Sequence, residues 1–451
     1  MMTLALMVAA TLPVPGRSVT ASQHGVAASS QPLAAQAAVH ILQRGGNAVD
    51  AAIAANSTQG VMEPTSNGIG GDLFAIVYLA KEDKLYGVNA SGWSAAGMTL
   101  DFLRGKGVQG ELPYRGVYSV TVPGAVAGWA ALHKRFGKLP LATDLAPAIW
   151  YAEHGFPVME VTAGLWSRSV EMLGILEQFP LAEWGFHSAR TLHAMIEAKK
   201  LAYADLLKYI GDPRFTRIPV QQLLAKENAA RRARQIDPKK AACHVEPSQL
   251  PGVTASSGSD TIYLTVVDGE GNIVSLIQSN YAGFGSGLVP KGGGFMLQNR
   301  GALFTLQPGQ PNTIAGRKRP LHTIIPAFMQ KGDLRIGFGI MGGWNQAQAH
   351  AQFVANVVDF GMTIQQALEA GRFTKATFEG CDVEIEASVP QQARDELTAL
   401  GHHLEVRPLR TPFFGYGQAV LFDRKTGVKF GASDPRHDGE AIPVPASFPG
   451  P

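Results

Sequence analysis

Asp260-Thr261-Ile262-Tyr263-Leu264-Thr265-Val266-Val267-Asp268 reads as a β-strand opened by a hydroxyl residue. Leu264 and Val266 face one way, and Tyr263, Thr265 and Val267 the other. This is the period-two pattern of a half-buried strand rich in β-branched residues. Asp268-Gly269-Glu270-Gly271-Asn272 follows as a turn and Ile273 to Ile277 as the returning strand. By itself, a Thr at a strand start is only a good β-former. Its surroundings give it a second reading: an N-terminal nucleophile, exposed when the chain cuts itself between Asp260 and Thr261.

Composition bounds the function. The chain has 451 residues, too many for one hydrophobic core, with 17% charged residues and a net charge of +3. No dense basic run appears, which argues against a nucleic-acid or membrane role. Cys243 and Cys381 show no metal-ligand spacing and read as buried free thiols. No metal or organic cofactor is expected. The apolar run Leu4 to Ala10 is too short to span a bilayer and no Lys or Arg precedes it. A cytoplasmic location is favoured, with a periplasmic or secreted one as the other reading.

Along the chain, Pro32 to Gln43 reads as a helix stopped by Gly45-Gly46. Asn47 caps a second helix through Ala55, with Asp50 in its first turn. A turn-rich loop, 63–72, leads to paired strands at Leu73 to Leu79 and Leu85 to Asn89. Val117 to Val122 is a further strand. Ala125 to Phe136 and Asp144 to His154 are helices, as is the stretch through Ala198 and Ala204. Gln221 to Ile236 reads as a charged, exposed helix, and Lys239 to Ser259 as a flexible approach to Thr261. Beyond the hairpin come six glycines between Gly283 and Gly294 and a strand at Leu334 to Ile340. Helices follow at Gln346 to Phe360, after the capping box at Thr363, and at Pro390 to Leu400. Strands at Val383 to Ile385, Gln418 to Phe422 and Val428 to Phe430 complete a layered α/β pattern with a mixed or antiparallel sheet.

An ordered set of motifs then points to a family. Arg44-Gly45-Gly46-Asn47-Ala48-Val49-Asp50-Ala51-Ala52, Gly70-Gly71-Asp72-Leu73, Val122-Pro123-Gly124 and Thr261 to Asp268 come first. Phe284-Gly285-Ser286-Gly287, Lys318-Arg319-Pro320-Leu321, Met341-Gly342-Gly343 and Ala432-Ser433-Asp434-Pro435-Arg436 follow. Together they resemble the γ-glutamyltransferase family, the Thr-nucleophile members of the N-terminal-nucleophile hydrolases. The resemblance implies a four-layer αββα sandwich. It also implies processing of one precursor into a large-subunit region, 1–260, and a small-subunit region, 261–451, with any further homo-oligomer left open. Asp260-Thr261 is the implied cleavage site and Thr261 the nucleophile. Gly342 and Gly343 match the oxyanion-hole pair, since glycine N–H groups can approach a developing charge unhindered. Thr265 and Ser279 stand where relatives carry hydroxyl residues bonded to the nucleophile.

The departures bear on substrate. Relatives hold a substrate carboxylate with an Arg where this chain has Val88-Asn89-Ala90-Ser91-Gly92-Trp93, and an α-amine with an acidic residue where it has Leu303. Their paired serines are His322-Thr323 here, and an Asn falls at Tyr281. Leu303 cannot neutralise an ammonium group. Arg300, a planar and permanently charged fork, is the candidate carboxylate clamp, with Tyr281, His322 and Thr323 beside it as candidate substrate contacts. The set is closer to the branch that includes oxamate amidohydrolase, and implies a small amide with a carboxylate near the scissile bond. Between about 166 and 184 the chain is short, and an internal deletion from the large-subunit region is the expectation. The expected function is a self-processing amidohydrolase or acyltransferase that cleaves a γ-glutamyl or small carboxylate-bearing amide through an acyl-enzyme on Thr261; the alternative is an uncut, non-catalytic remnant that binds or scaffolds.

Overall fold

The computed structural model describes residues 16–159, 261–310, 312–375 and 381–446, together with residues 161, 162 and 178 and short stretches between 197 and 248. The chain divides into two compact units. One is residues 157–258, and the other unites the segments on either side.

In the larger unit, the segment before residue 157 supplies Thr20–Ser22 (β1), Val26–Ser29 (β2), Pro32–Gln43 (α1), Ala48–Met62 (α2), Asp72–Leu79 (β3), Lys84–Ala90 (β4), Leu100–Gly105 (α3), Ala125–Phe136 (α4) and Leu141–His154 (α5). After residue 258 come Ile262–Val267 (β5), Ile273–Ser279 (β6), Ala327–Lys331 (β7), Leu334–Ile340 (β8), Gln346–Val358 (α6), Ile364–Glu369 (α7), Phe373–Thr374 (β9), Asp382–Glu386 (β10), Gln391–Ala399 (α8), His403–Arg407 (β11), Gly417–Asp423 (β12), Lys429–Ser433 (β13) and Glu440–Pro443 (β14).

Two antiparallel sheets form the centre. One runs β14-β2-β5-β6-β3-β4 and the other β1-β13-β12-β8-β7. Each draws strands from both sides of Thr261. A small third sheet, β11-β10-β9, pairs β10 with β11 in parallel. β5 is an inner strand, with Tyr263 opposite Ile277 and Val266 opposite both Ala27 and Val274.

Side-chain alternation assigns the layers. Leu264, Val266, Val274 and Leu276 join Ala51, Ala52, Ile53 and Ala55 of α2 in one core. Val267 and Ile273 meet Val420 and Phe422 of the other sheet. The far face of that sheet, through Ile336, Phe338 and Ala432, is covered by Phe353 of α6 and Ala367 and Leu368 of α7. The order is helices, sheet, sheet, helices, the four-layer αββα sandwich implied by the resemblance. All six β5 residues are therefore buried, where the sequence pattern predicts a half-buried strand. Alternation distinguishes two faces but cannot show that both are covered.

α2 occupies the middle of its layer. Asn47 caps it by accepting from Val49 and Asp50 N–H, and the Asp50 carboxylate closes the capping box on Asn47 N–H. Thirteen of its fifteen residues are buried, and alanines allow close approach to α1 and α5 as well as to the sheet.

Where the two sheets touch, glycine is required by space. An added Cβ at Gly339 would lie 2.5 Å from the Tyr263 ring, and one at Gly431 2.4 Å from Val26. Gly339→Val is therefore expected to destabilise the fold by about 3 kcal/mol, the upper end of the overpacking range. Guanidinium denaturation reads this directly, and an unchanged midpoint contradicts it.

Several local expectations need correction. Val117 to Val122 is not a strand: Val117–Ser119 forms a 3₁₀ turn, and residues 120–122 join no strand among the described residues. β-branched residues there mimic a strand, but Gly116 at φ 94° turns the chain first. In the smaller unit, the expected helix from Gln221 to Ile236 is two pieces, Val220–Leu223 and Lys226–Ala233, separated by extended Ala225. It is not fully exposed either. Arg232 is buried and donates to the Leu201 and Glu246 carbonyls at 2.6 and 2.9 Å. Cys381 is free but exposed, against the expectation of a buried thiol, while Cys243 lies outside the described residues. Most of the expected helix around Ala204 and of the approach to Thr261 also lies outside them. Among the described residues no helix is long and apolar enough to cross a membrane.

Candidate active site

Thr261 stands just before β5 and is buried. Its hydroxyl lies 3.1 Å from Ser279 Oγ at the end of β6, and Ser279 Oγ accepts the Tyr281 N–H at 2.8 Å. Antiparallel pairing of β5 with β6 brings these residues together. Asp260 lies outside the described residues. Thr265 goes elsewhere. Two full strand repeats further along, its hydroxyl donates to the Val274 carbonyl at 2.9 Å, inside the sandwich. Equal facing on a strand does not give contact, because residues four apart are separated by about 13 Å.

Behind Thr261 lies a buried polar column. The Tyr416 hydroxyl donates to the Thr261 carbonyl at 3.4 Å, and the Tyr416 carbonyl accepts the Met341 N–H at 3.1 Å. One residue thus ties Thr261 to the Met341-Gly342-Gly343 turn. The Tyr416 ring stacks on His437 at 3.9 Å, and His437 Nδ1 lies 3.0 Å from the Ser30 carbonyl and 3.9 Å from Glu63. Burial raises the Glu63 carboxyl, opposed by His437 and by hydrogen bonds from Gln59 and Ser30.

Gly342 and Gly343 have φ values of 137° and 57°, positions that side chains rarely adopt. The turn is anchored by Asn345, whose N–H donates to the Gly342 carbonyl and whose side chain donates to the Phe414 carbonyl at 2.7 Å. Neither glycine N–H has an acceptor among the described residues. Two such donors on an ordered turn are suited to a developing oxyanion.

Arg300 is completely buried. Its Nε donates to Asp72 Oδ2 at 3.3 Å and its Nη1 to Thr323 Oγ1 at 3.1 Å, while Nη2 has no partner among the described residues. Its guanidinium carbon lies 4.9 Å from the centre of the Tyr281 ring. Asp72 also accepts from Gln298 at 2.7 Å and from Gly92 N–H at 3.1 Å. Burial lowers the pKa of the Arg300 guanidinium and raises that of the Asp72 carboxyl, and each opposes the other's shift with its charge.

Tyr281 has φ 77°, unusual outside glycine, and its hydroxyl meets the Tyr114 hydroxyl at 2.9 Å with the rings stacked. His322 is half-buried against Phe74, 4.0 Å from Asp72, and neither ring nitrogen is hydrogen-bonded among the described residues. Burial, then the charges of Arg300 and Arg319, push it down to about 3, so it is neutral near pH 7. Leu303 is half-buried on the same 3₁₀ turn as Arg300.

The fold thus joins Thr261, Ser279 and Tyr281 in one hydrogen-bonded run, with Arg300 against Tyr281 and with Thr323 and His322 beside it. Sequence reasoning missed three contributors. Asp72 was visible only as part of Gly70-Gly71-Asp72. That motif has its own reason, since a Cβ at Gly70 would lie 1.9 Å from the Met296 carbonyl oxygen. Tyr114 and Tyr416 carry no local signal.

Comparison with known proteins agrees with this architecture. The sequence model described as Gamma-glutamyltranspeptidase matches residues 34–173 and 169–444. The chain is 29% identical over 521 aligned positions to the Glutathione hydrolase-like YwrD proenzyme of Bacillus subtilis, covering 91% of this chain and 97% of the relative. It is 28% identical to the Oxamate amidohydrolase proenzyme of Klebsiella pneumoniae, covering 93% and 98%. The crystal structure of a cephalosporin acylase from Bacillus halodurans superposes with a TM-score of 0.72 at 34% identity, covering 96% and 98%. An alignment of 521 positions exceeds the 451 residues of this chain, so the chain lacks positions that the relative carries. The family match also falls into two blocks that meet at 169–173, within the region where the sequence reads as shortened. The chain is an enzyme of this kind and belongs to the gamma-glutamyltranspeptidase family.

Proposed function

We propose that the chain is a self-processing amidohydrolase that cleaves a small amide bearing a carboxylate close to the scissile bond, through an acyl-enzyme on Thr261. In the precursor, the Thr261 hydroxyl attacks the Asp260 carbonyl. An N→O acyl shift and hydrolysis of the resulting ester leave a large and a small subunit and free the Thr261 α-amine. That amine, with an ordinary pKa of roughly 7.7–8.0, takes the hydroxyl proton during turnover. The hydroxyl oxygen then adds to the substrate carbonyl carbon, with Gly342 and Gly343 N–H groups as donors to the oxyanion. The amide nitrogen leaves with a proton, and water releases the acid.

The observation that carries the substrate class is the Nη2 of buried Arg300, unpartnered among the described residues and one contact away from the Thr261–Ser279–Tyr281 run. Two N–H groups there lack acceptors, and a carboxylate supplies them. Neutral His322 and the Thr323 hydroxyl add uncharged contacts. A γ-glutamyl substrate would instead need an acid for its ammonium group, where the chain places Leu303. The deciding comparison is ammonia release from oxamate against hydrolysis of γ-glutamyl-p-nitroanilide. Oxamate turnover with weak γ-glutamyl turnover is expected. Strong γ-glutamyl turnover that survives replacement of Arg300 would overturn the assignment.

A further inference from the structure

A second cluster of ionisable groups lies in the helical layer. Asp50 in the first turn of α2, His133 in the last turn of α4 and Asp144 in the first turn of α5 each place a ligand atom within 4.8 Å of the other two. Both carboxylates are completely buried, while His133 is half-buried. Asp50 is well satisfied, accepting from Asn47, Lys138 and Leu139 N–H groups at 2.9–3.3 Å. One ring nitrogen of His133 is 2.7 Å from the Leu139 carbonyl, which holds the ring in place.

Asp144 is different. Among the described residues, neither of its oxygens has a hydrogen-bond partner and no Lys or Arg pairs with it. Burial first, and then the charge of Asp50, raise it to about 7. A buried carboxylate without donors is costly, and a second carboxylate beside it adds repulsion. What this arrangement lacks is positive charge.

We propose that Asp50, His133 and Asp144 hold a divalent cation of the Zn²⁺ or Mn²⁺ kind that clamps α2, α4 and α5 together. Two carboxylates neutralise a divalent ion, and carboxylate with imidazole is a donor set used by both metals. The backbone N–H groups on Asp50 and the carbonyl on His133 act as the outer partners that orient metal ligands. Water completes the coordination shell from the half-exposed His133 side. The three residues are far apart in sequence, so no ligand spacing announces them. The clamp takes no part in the Thr261 chemistry, and stability reports its loading.

The test is thermal melting of the full chain after dialysis against EDTA, with and without added Zn²⁺, Mn²⁺ or Ca²⁺. Metal content of the desalted protein is measured alongside. Zn²⁺ or Mn²⁺ is expected to raise the melting temperature by a few degrees and to remain at one ion per chain. Asp144→Asn and His133→Gln are both expected to lose that gain, and the pair guards against one variant failing to fold. Two results overturn the proposal. A gain that persists in both variants puts the ion elsewhere. No gain in the native chain, combined with melting that rises in the native chain but not in Asp144→Asn as the pH falls below about 7, means that the carboxylates share a proton instead. The sign follows from linkage: a carboxyl raised above its unfolded value removes stability as the pH rises from about 4 through about 7.

Discussion

Thr261→Ala is expected to yield one uncut chain with no measurable turnover, where the native protein gives two fragments, one beginning at Thr261. The substitution removes the only atom proposed to attack, first on the Asp260 carbonyl and then on substrate. Losing a covalent nucleophile lowers kcat by on the order of 10⁶-fold in other hydrolases. The fold should tolerate the change. Ser279 keeps its bond from the Tyr281 N–H, and Tyr416 still reaches the backbone carbonyl of residue 261. Thr261→Ser retains the hydroxyl and should still cut, more slowly. Intact mass with N-terminal sequencing reads all three proteins. A cut chain in the Ala variant would eliminate Thr261 as the nucleophile. An uncut native chain would favour the reading in which the shortened sequence folds but does no chemistry.

Arg300 carries the second large effect, and it combines two costs. Arg300→Met removes the proposed clamp and leaves Asp72 as an unpaired buried charge. Breaking a buried pair on one side costs about 3–5 kcal/mol, enough to threaten a marginally stable fold. Removing both partners should be much milder, because Gln298 and Gly92 still reach an Asn at position 72. The double variant Arg300→Met with Asp72→Asn is therefore expected to recover most of the stability and none of the activity on a carboxylate-bearing amide. That activity should stay at least 100-fold down in kcat/KM, about 2.7 kcal/mol at 1.36 kcal/mol per factor of ten. Denaturation midpoints and kinetics on the same samples separate the two costs. Recovery of turnover with stability would make Arg300 purely structural.

The two experiments address different links in the proposal. Thr261 tests whether the chain performs chemistry, and Arg300 tests on what. The Thr261 arrangement comes from the β5–β6 hairpin, whose strands are close in sequence. The Arg300 arrangement comes from a loop that meets β3 only after folding.

This difference separates what was legible in the chain from what was not. Pro32–Gln43, Ala125–Phe136 and Leu334–Ile340 have the bounds that their flanking glycines, proline and periodicity predict. The Asn47 cap and the Thr363 capping box form as their positions predict. These features depend on neighbours within four residues. The hairpin turn at Asp268 is also local: its carboxylate accepts from Glu270 and Asn272 N–H groups. Strands β1, β2 and β14, by contrast, are short edge or inner pieces with weak patterns, and they exist because they pair with partners far along the chain.

By itself, the sequence determined the layered architecture, the Thr261 strand with its turn, and the set of residues from which the site is drawn. Only the tertiary structure decided which of them meet. It put Ser279 rather than Thr265 against Thr261, placed Asp72 against Arg300 and Tyr114 over Tyr281, and left Asp144 without a hydrogen-bond partner among the described residues. The physical reason is that caps, turns and periodicity are satisfied within a few residues. The pairing and charge state of a buried polar group are set by whichever side chains the sheets and helices bring around it.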